Sequence, residues 1–322
     1  MTGGCRLSSM SSEQPPSWES ELFPLGIEKK DGPFLARLLE VWSPDIANMM
    51  KRLSFAGIVC VVVAIGSSRS GQAADPCSAP DELTSAVASL PHVAAVLKPG
   101  SVLDVLTVGS ATVFSPGESL VPGTVTGQAL GLGTVRSLAD VAPADDMAFP
   151  LQMARSLQAA VPGLKVNVTV RGGRGMMASE MLAILKSELS QHHYQLVIWQ
   201  TGTVEAVRSV PAADFIEVLT DGAAAIQDGA ADLVLVDPQF SRFLHSNAQL
   251  DPYTHAMQEI AARPDAMLFP RYELMRYWAG EGQIDLERTP RTQRQKVAEL
   301  LHACIGAKLS RMVQDGANTP PS

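Results

Sequence analysis

Four short segments place glycine beside hydroxyl, guanidinium or carboxylate side chains: residues 109–112 (GSAT), 171–175 (RGGRG), 201–205 (TGTVE) and 285–288 (DLER). A serine or threonine hydroxyl can attack a carbonyl carbon when a nearby base takes its proton. Glycine-rich backbone can donate N–H groups to the oxyanion that forms, and carboxylates can assist proton transfer. These residue types favour acyl-group chemistry or the binding of an anion.

Each of these segments follows a stretch with the pattern of a strand or precedes a long helix. Apolar runs predict strands, and apolar residues at helical spacing predict helices between them. Predicted strands are residues 102–108, 164–170, 195–200, 231–236 and 266–269, and predicted helices are residues 149–160, 180–189, 214–226, 252–262, 272–278 and 291–313.

Strands that alternate with helices of this length predict a parallel sheet covered on both faces. The expected fold is therefore α/β, a three-layer α/β/α arrangement of the flavodoxin-like type. In such sheets the working residues lie on loops at the carboxyl ends of the strands. The segments after the strands, together with the one before the last helix, are expected to meet at one edge.

The order and spacing of these motifs resemble the SGNH/GDSL hydrolases over residues 101–315, in an exported, alphaproteobacterial-type branch. Segments such as IWQTGT, LVLVDPQF and LFPRYELMRYW carry this resemblance. It implies the SGNH hydrolase fold and an esterase that removes acyl groups from carbohydrates or small molecules. Within it, Gly-Asp-Ser supplies the nucleophile, a glycine and an asparagine supply oxyanion donors, and Asp-x-x-His supplies the base.

The nucleophile motif of that family is altered in this chain. Gly109 fits the family glycine, Ser110 stands where the aspartate is usual, and Ala111 occupies the nucleophile position. A methyl group cannot attack an ester. Gly175 fits the oxyanion glycine, and this element needs only the backbone N–H.

The other two motifs are altered as well. Val204 stands at the oxyanion asparagine, whose loss typically costs about 10²–10³ in rate. Asp285 matches the aspartate of Asp-x-x-His, but Arg288 replaces the base, and a guanidinium keeps its proton near neutral pH. The resemblance therefore predicts a pseudoenzyme-like member in which the standard catalytic set is lost.

A displaced catalytic set is the alternative. Ser110 or Thr112 would be the nucleophile, Glu205 or Asp285 would assist, and a histidine, His245 or His255, would come from a neighbouring loop.

The arginines of the RGGRG loop have two interpretations. Arg171 and Arg174 either hold an anionic group by charge-assisted hydrogen bonds or are solvated loop charges. With Arg288 brought to the same edge, they would form a local basic pocket.

Two functions follow from these residues. One is ester hydrolysis or acyl transfer by an altered constellation, with Glu205 part of the ligand-binding set. The other is a non-catalytic periplasmic binding or accessory protein that uses the vestigial ester pocket. The expected partner is a small-molecule or carbohydrate acyl ester, with no cofactor and no metal.

The first 74 residues are expected to lie outside the functional domain. Residues 50–74 have the pattern of a secretory signal peptide, with two basic residues, a short apolar run and a small-residue cleavage site. The alternatives are a buried helix or a signal anchor behind a cytoplasmic tail. Residues 1–49 are then an over-extended or disordered start, and residues 75–322 form a single SGNH-like domain. The protein would be periplasmic or secreted, with no stable membrane span after cleavage.

Composition excludes several classes of partner. The formal net charge is −8 and the pI is about 5.3, which argues against a general nucleic-acid binder. A hydrophobic fraction of 46% is ample for a packed core and excludes a mainly disordered chain. After cleavage only Cys77 and Cys304 remain of the four cysteines, and we expect them to form a disulfide. Two separate buried thiols are the alternative.

Overall fold

The strands predicted from the apolar runs pair side by side in a computed structural model, which describes residues 75–85, 88–114, 135–137 and 147–320. Six strands form one sheet in the order β2-β3-β1-β4-β5-β6. All neighbouring strands are parallel except β2, which is antiparallel to β3. The strands are β1 (Val102–Gly109), β2 (Val135–Ser137), β3 (Lys165–Gly172), β4 (Leu196–Gln200), β5 (Asp232–Val236) and β6 (Ala266–Phe269).

Helices follow the parallel strands, as the alternating pattern predicts. Two further helices, α4 (Thr203–Arg208) and α6 (Arg242–Asn247), are only six residues long and were not predicted. The helices are α1 (Pro91–Val96), α2 (Phe149–Ala160), α3 (Ala178–Gln191), α4 (Thr203–Arg208), α5 (Ala212–Asp228), α6 (Arg242–Asn247), α7 (Asp251–Ala261), α8 (Arg271–Gly280) and α9 (Arg294–Asn318).

The sheet separates two apolar cores. Alternate residues of each strand point to opposite faces, so in β4 Ile198 packs against α2 and α9, whereas Trp199 packs against α3, α5 and α7. Both faces of the central strands are buried, which explains why β4 and β5 are continuous apolar runs. The predicted three-layer α/β/α fold is confirmed.

Strand β3 is longer than the sequence pattern predicts. It extends through Gly172, so Arg171 lies inside the strand and not in the loop after it. Strand β2 was not predicted either, because it lies within the glycine- and proline-rich segment between β1 and α2. Its backbone pairs with residues 167–169 of β3.

The ends of β1 and β3 approach each other more closely than side chains allow. Gly109 is paired with Gly172, and a Cβ placed on Gly172 would lie 1.8 Å from the carbonyl oxygen of Gly109. Gly172 also has a φ of +126°, a conformation that L-residues rarely adopt. The same carbonyl accepts a hydrogen bond from the N–H of Gly173 at 3.2 Å. These two glycines therefore fix where the loops after β1 and β3 begin.

A disulfide joins the N-terminal part of the described chain to the last helix. Cys77 and Cys304 are bonded, with their Cα atoms 5.0 Å apart. Cys304 is fully buried in α9, and beside the bridge the indole N–H of Trp278 donates to the carbonyl of Ser78 at 2.9 Å. The segment before α1 is thus anchored to both α8 and α9.

The predicted signal peptide, residues 50–74, and the predicted over-extended start, residues 1–49, lie outside the described residues. Within the described ranges, none of the helices combines the length and apolar character needed to cross a membrane.

Replacing Gly172 with alanine should prevent stable folding or lower the free energy of unfolding by more than about 4 kcal/mol, because the new methyl meets backbone that cannot move aside. Gly100→Ala is the matched control: its φ is +80° but nothing lies within 4 Å of the added Cβ, so it should cost about 1–2 kcal/mol. Urea denaturation measures both. Equal losses would show that the close approach of β1 and β3 is not the constraint.

Replacing both bridge cysteines with serine should lower the free energy of unfolding by about 2–5 kcal/mol, because the cross-link closes a loop with a sequence separation of 227. Chemical denaturation with and without reductant measures the loss. The wild-type protein should be sensitive to reductant and the double variant insensitive. Alkylation of Cys77 and Cys304 in the oxidised, denatured wild-type protein, located by peptide mass spectrometry, would contradict the bridge.

Candidate functional site

The segments predicted to carry chemistry follow parallel strands that are neighbours in the sheet. Ser110 directly follows β1, Arg174 and Gly175 follow β3, and Val204 lies in α4 just after β4. Because β3, β1 and β4 are adjacent and parallel, these residues lie at the same carboxyl edge. The structure therefore brings together the first three of the four predicted segments.

The residue predicted at the nucleophile position, Ala111, has no hydroxyl. Ala111 begins a single turn of 3₁₀-helix, Ala111–Val113, which starts one residue after the strand. Ser110 precedes this turn in an extended conformation, its side chain forms no capping hydrogen bond to the turn, and the residue is partly exposed. Ser110 is thus the hydroxyl-bearing residue between the end of β1 and this turn.

The hydroxyl of Thr112, two residues further on, is held in a polar network. It donates to Oε1 of Gln200 at 2.6 Å and accepts from Nη1 of Arg271 at 2.9 Å. Nε of Arg271 in turn donates to the carbonyl of Asp237 at 3.0 Å. This network joins the ends of β1, β4, β5 and β6. Neither an amide oxygen nor a guanidinium can take the proton of Thr112, so the network fixes this hydroxyl without activating it.

Burial dominates the charges in this network. It lowers the pKa of Arg271 to about 10 although Asp237 opposes the shift. It also raises the pKa of Asp237 to about 7, against the opposing hydrogen bond from the N–H of Tyr272 and the attraction of Arg271. Nη2 of Arg271 is buried and has no hydrogen-bond partner among the described residues. The two N–H groups of this nitrogen are therefore left unsatisfied.

The charge of this network also acts on a buried histidine, His302. Burial, followed by the charge of Arg271, lowers the pKa of His302 to about 4, so this imidazole is neutral near pH 7. Its Nδ1 accepts the backbone N–H of Phe149 at 3.2 Å. His302 therefore joins α9 to the start of α2.

Sequence reasoning did not select Arg271, Gln200 or His302. Gln200 is the last residue of one predicted strand, and Arg271 lies two residues after another. Their positions at strand ends were the signal by which these two residues could have been found. The neutral, buried state of His302 depends on tertiary packing that the spacing does not reveal.

The predicted ligand-binding role of Glu205 is wrong, because its carboxylate is occupied by the backbone. It accepts the N–H of Ala178 at 2.5 Å and the N–H of Gly202 at 2.9 Å, and it lies 3.4 Å from the hydroxyl of Thr201. Glu205 is 2% exposed and caps the first turns of both α3 and α4. It positions these helices and does not face a ligand.

Arg171 does not contribute to a basic pocket. Its Nε donates to Glu188 on α3 at 2.7 Å, and Tyr194 donates to the other oxygen of Glu188 at 2.8 Å. Arg171 is 8% exposed, and both predicted alternatives, an anion-binding loop and a solvated loop charge, are wrong for it. The physical reason is that Arg171 lies within β3 and points towards α3.

The last two residues of the RGGRG segment turn outwards, whereas Gly172 and Gly173 are buried. Arg174 is exposed, and Gly175 has a φ of +71°. A Cβ on Gly175 would lie 3.8 Å from Nη2 of Arg208, so the guanidinium of Arg208 is beside the backbone of this glycine. The cations near the predicted oxyanion position are therefore Arg174 and Arg208.

Asp285 orients an arginine in place of a base. Its carboxylate accepts two hydrogen bonds from Arg242, at 3.0 Å and 2.8 Å, and one from the backbone N–H of Arg288 at 3.1 Å. Burial is the largest single influence and would raise the pKa of Asp285, but the hydrogen bonds from Arg242 and from the N–H of Arg288, together with the charges of both arginines, outweigh it and the pKa is lowered. The side chain of Arg288 is 77% exposed, with Nε 3.8 Å from Asp285. The base position is thus filled by a solvent-exposed cation.

The two histidines considered as displaced bases differ in their surroundings. Nδ1 of His245 lies 2.7 Å from the hydroxyl of Tyr272, whose backbone N–H donates to Asp237 at 2.8 Å. His255 instead forms an exposed pair with Glu259 in its own helix. Of these two histidines, His245 is therefore the one that lies beside the strand-end network.

Throughout the described part of the chain, no group of three or more His, Cys, Asp or Glu side chains could hold a metal ion.

Asp237→Asn should become progressively more stable than the wild-type protein as the pH rises. The folded protein keeps the Asp237 proton up to about pH 7, whereas the unfolded chain releases it near pH 4, about the ordinary aspartate value. Stability that is present below pH 4 is therefore lost as the pH rises to about 7. Asparagine keeps the acceptor for Tyr272 and cannot ionise.

The expected difference in the free energy of unfolding is on the order of a few kcal/mol at pH 8 and small at pH 4. Urea denaturation across this pH range measures the difference. Asp228→Asn, at an exposed position on α5, is the control, because it removes the same charge at the surface. Parallel pH profiles for wild type and Asp237→Asn would contradict the raised pKa.

Comparison with known proteins gives a family and several structural neighbours. The chain is similar to the crystal structure of TesA, with 16% identity over 65% of this chain and 99% of that chain and a TM-score of 0.44. It is also similar to LAE5, an α/β hydrolase enzyme from the metagenome of Lake Arreo, Spain, with 16% identity over 65% of this chain and 97% of that chain and a TM-score of 0.46. A lipase/acylhydrolase from Enterococcus faecalis has 16% identity over 65% of this chain and 96% of that chain, with a TM-score of 0.41.

No curated protein matches the sequence. The profile of the non-GDSL lipase-like family matches residues 76–319, which include the whole sheet and every segment of the candidate site. The resemblance to SGNH/GDSL hydrolases is confirmed, and the chain belongs to the non-GDSL lipase-like family.

Proposed function

We propose that this protein is an exported ester hydrolase or acyl-transfer enzyme that acts on acyl esters of small molecules or carbohydrates. The observation that carries the proposal is the position of Ser110, a partly exposed hydroxyl directly after β1 at the carboxyl edge of an SGNH-type sheet. Thr112, the other hydroxyl of this segment, is engaged with Gln200 and Arg271 and serves to hold the loop.

In this proposal Oγ of Ser110 attacks the ester carbonyl carbon and its proton passes to a base. The alcohol leaves with a proton, and water or a second alcohol then releases the acyl group from the serine. The backbone N–H of Gly175 is the candidate oxyanion donor, and His245 is the candidate base. Because Val204 supplies no second donor, turnover should be about 10²–10³ slower than with a complete oxyanion hole.

A second candidate function, ester binding without cleavage, is supported by the altered base and nucleophile positions. Ala111 has no nucleophilic atom, and Asp285 is occupied by Arg242, while Arg288 is exposed to solvent. A site that keeps the loop geometry of a hydrolase without its proton-transfer groups can retain affinity for an ester and lose turnover.

Export is proposed from two features of the sequence and the structure. Residues 50–74 have the pattern of a signal peptide. The Cys77–Cys304 bridge is of a kind that persists in the periplasm or outside the cell. N-terminal sequencing of the native protein tests this proposal, and recovery of peptides from residues 1–48 would contradict it.

Ser110→Ala should reduce the hydrolysis of p-nitrophenyl acetate and of acetylated glycans to the uncatalysed background, because it removes the attacking oxygen. Initial rates measure this loss. Ser190→Ala is the matched control, since this exposed serine lies at the far end of α3, towards the opposite edge of the sheet, and should keep the wild-type rate.

The outcomes separate the two candidate functions. Turnover that survives in Ser110→Ala would show that this serine is not the nucleophile. No turnover by the wild-type protein, together with an ester-dependent rise in Tm, would identify the binding function in its place.

A further inference from the structure

The loop after β3 and helix α4 are joined beside the candidate site. The carboxylate of Glu205, in the first turn of α4, accepts the backbone N–H of Ala178 at 2.5 Å and that of Gly202 at 2.9 Å. Glu205 is 2% exposed, so this link is shielded from water. It holds α4 against the residues that follow Gly175.

Helix α4 carries two side chains on one face that bear on the site. Val204, at the position of the family's oxyanion asparagine, and Arg208 are four residues apart, which places them on the same side of the helix. Side chains of a helix lean towards its N-terminus, so Arg208 reaches back over the turn that contains Val204. Nη2 of Arg208 lies 3.8 Å from the point that a Cβ on Gly175 would occupy. The guanidinium is therefore beside Gly175, the other predicted oxyanion position.

Both groups have hydrogen-bond donors available. In the described part of the chain, no oxygen accepts the N–H of Gly175. Among the ion pairs of the described residues, none involves Arg208. Arg208 is exposed and Gly175 is partly exposed, so a ligand can reach both. An anion here would receive hydrogen bonds from a backbone amide and from a guanidinium, which stays protonated near neutral pH.

The end of β1 is tied to the same loop. The carbonyl of Gly109 accepts the N–H of Gly173 at 3.2 Å. Ser110 follows Gly109 directly, and Gly175 lies two residues beyond Gly173. Both residues are therefore within about two peptide units of the shared hydrogen bond. An ester carbonyl that is attacked by Ser110 is thus within reach of Gly175 and Arg208.

We propose that Arg208 is a catalytic residue that binds the oxyanion of the tetrahedral intermediate together with the N–H of Gly175. The proposal rests on the proposed function and adds a residue four positions from the one that the family resemblance assigns. When Oγ of Ser110 bonds to the carbonyl carbon, the C=O electron pair moves onto oxygen and the serine proton passes to His245. As the carbonyl re-forms, the bond to the alcohol oxygen breaks, and this oxygen takes the proton from His245. Arg208 keeps its own proton throughout.

The expected contribution of Arg208 is smaller than that of a buried donor. One oxyanion donor typically contributes about 10²–10³ in rate. Solvent screens an exposed guanidinium, so Arg208 should contribute about 10–10². It therefore offsets only part of the loss that Val204 causes.

Arg208→Met should lower kcat for p-nitrophenyl acetate by about 10–10²-fold and change KM by less than about threefold, because the lost donor acts mainly on the transition state. Arg311→Gln is the matched control and should keep the wild-type rate, since this exposed arginine lies near the far end of α9. A rise in KM without a fall in kcat would overturn the proposal.

A double-mutant cycle distinguishes this role from a structural one. Val204→Asn introduces an amide donor at the family position, and it should raise kcat by a larger factor in Arg208→Met than in the wild-type protein, because both residues then serve one oxyanion. Equal factors in the two backgrounds would show that Arg208 does not act on the same atom.

Anion binding tests the same pair without turnover. Methylphosphonate, a tetrahedral anion, stands in for the oxyanion. Labelling with ¹³C′-arginine and ¹⁵N-glycine selects the amides of glycines that follow an arginine, and the chain has two, Gly172 and Gly175. Methylphosphonate should shift the Gly175 amide saturably and bind at least about 10-fold more weakly to Arg208→Met, with the buried Gly172 as the internal reference. A Gly175 amide that does not respond, or that responds equally in Arg208→Met, would overturn the proposal.

The two measurements separate this proposal from the proposed function. Ester turnover that depends on Ser110 but not on Arg208 would refute the role of Arg208 alone. Arg208-dependent binding of methylphosphonate without any ester turnover would refute hydrolysis and leave the anion-binding pair in place.

Discussion

The buried guanidinium of Arg271 holds the carboxyl edge of this sheet together. A fully buried arginine is costly unless its donors are satisfied, and two of its nitrogens reach acceptors at Thr112 and the carbonyl of Asp237. These acceptors follow β1 and β5, while Arg271 itself follows β6. One side chain therefore fixes three strand ends relative to one another, and its charge favours a lower pKa for both Asp237 and His302, although the burial of each of these groups has the larger effect. For Asp237 burial exceeds the attraction of the guanidinium, so the pair does not behave as a simple salt bridge.

A second arginine, Arg242, positions the segment that precedes α9. In the family resemblance, the aspartate before the last helix accompanies a histidine base, but here Asp285 is bonded in a two-pronged manner to Arg242. The bond ties the loop before α9 to α6, and Glu287 strengthens this tie by accepting the N–H of Arg242 at 2.8 Å. Asp285 therefore joins the loop before α9 to α6, whereas the family resemblance predicts that it would orient a base. The side chain of Arg288 extends into solvent beside it.

Much of this architecture could be predicted from the sequence, because the strands, the helices between them and the three layers follow from apolar runs and their spacing. The order of the strands in the sheet was not predicted. The meeting of the β1, β3 and β4 loops at one edge was predictable for the same reason. The role of Arg171 was not, since its partner Glu188 is 17 residues away on a helix whose rotation the pattern does not fix. The role of Glu205 could have been recognised, because a glutamate three residues after a helix start is the spacing of an N-terminal cap. Arg271 and His302 were missed because burial, not residue type, gives them their properties.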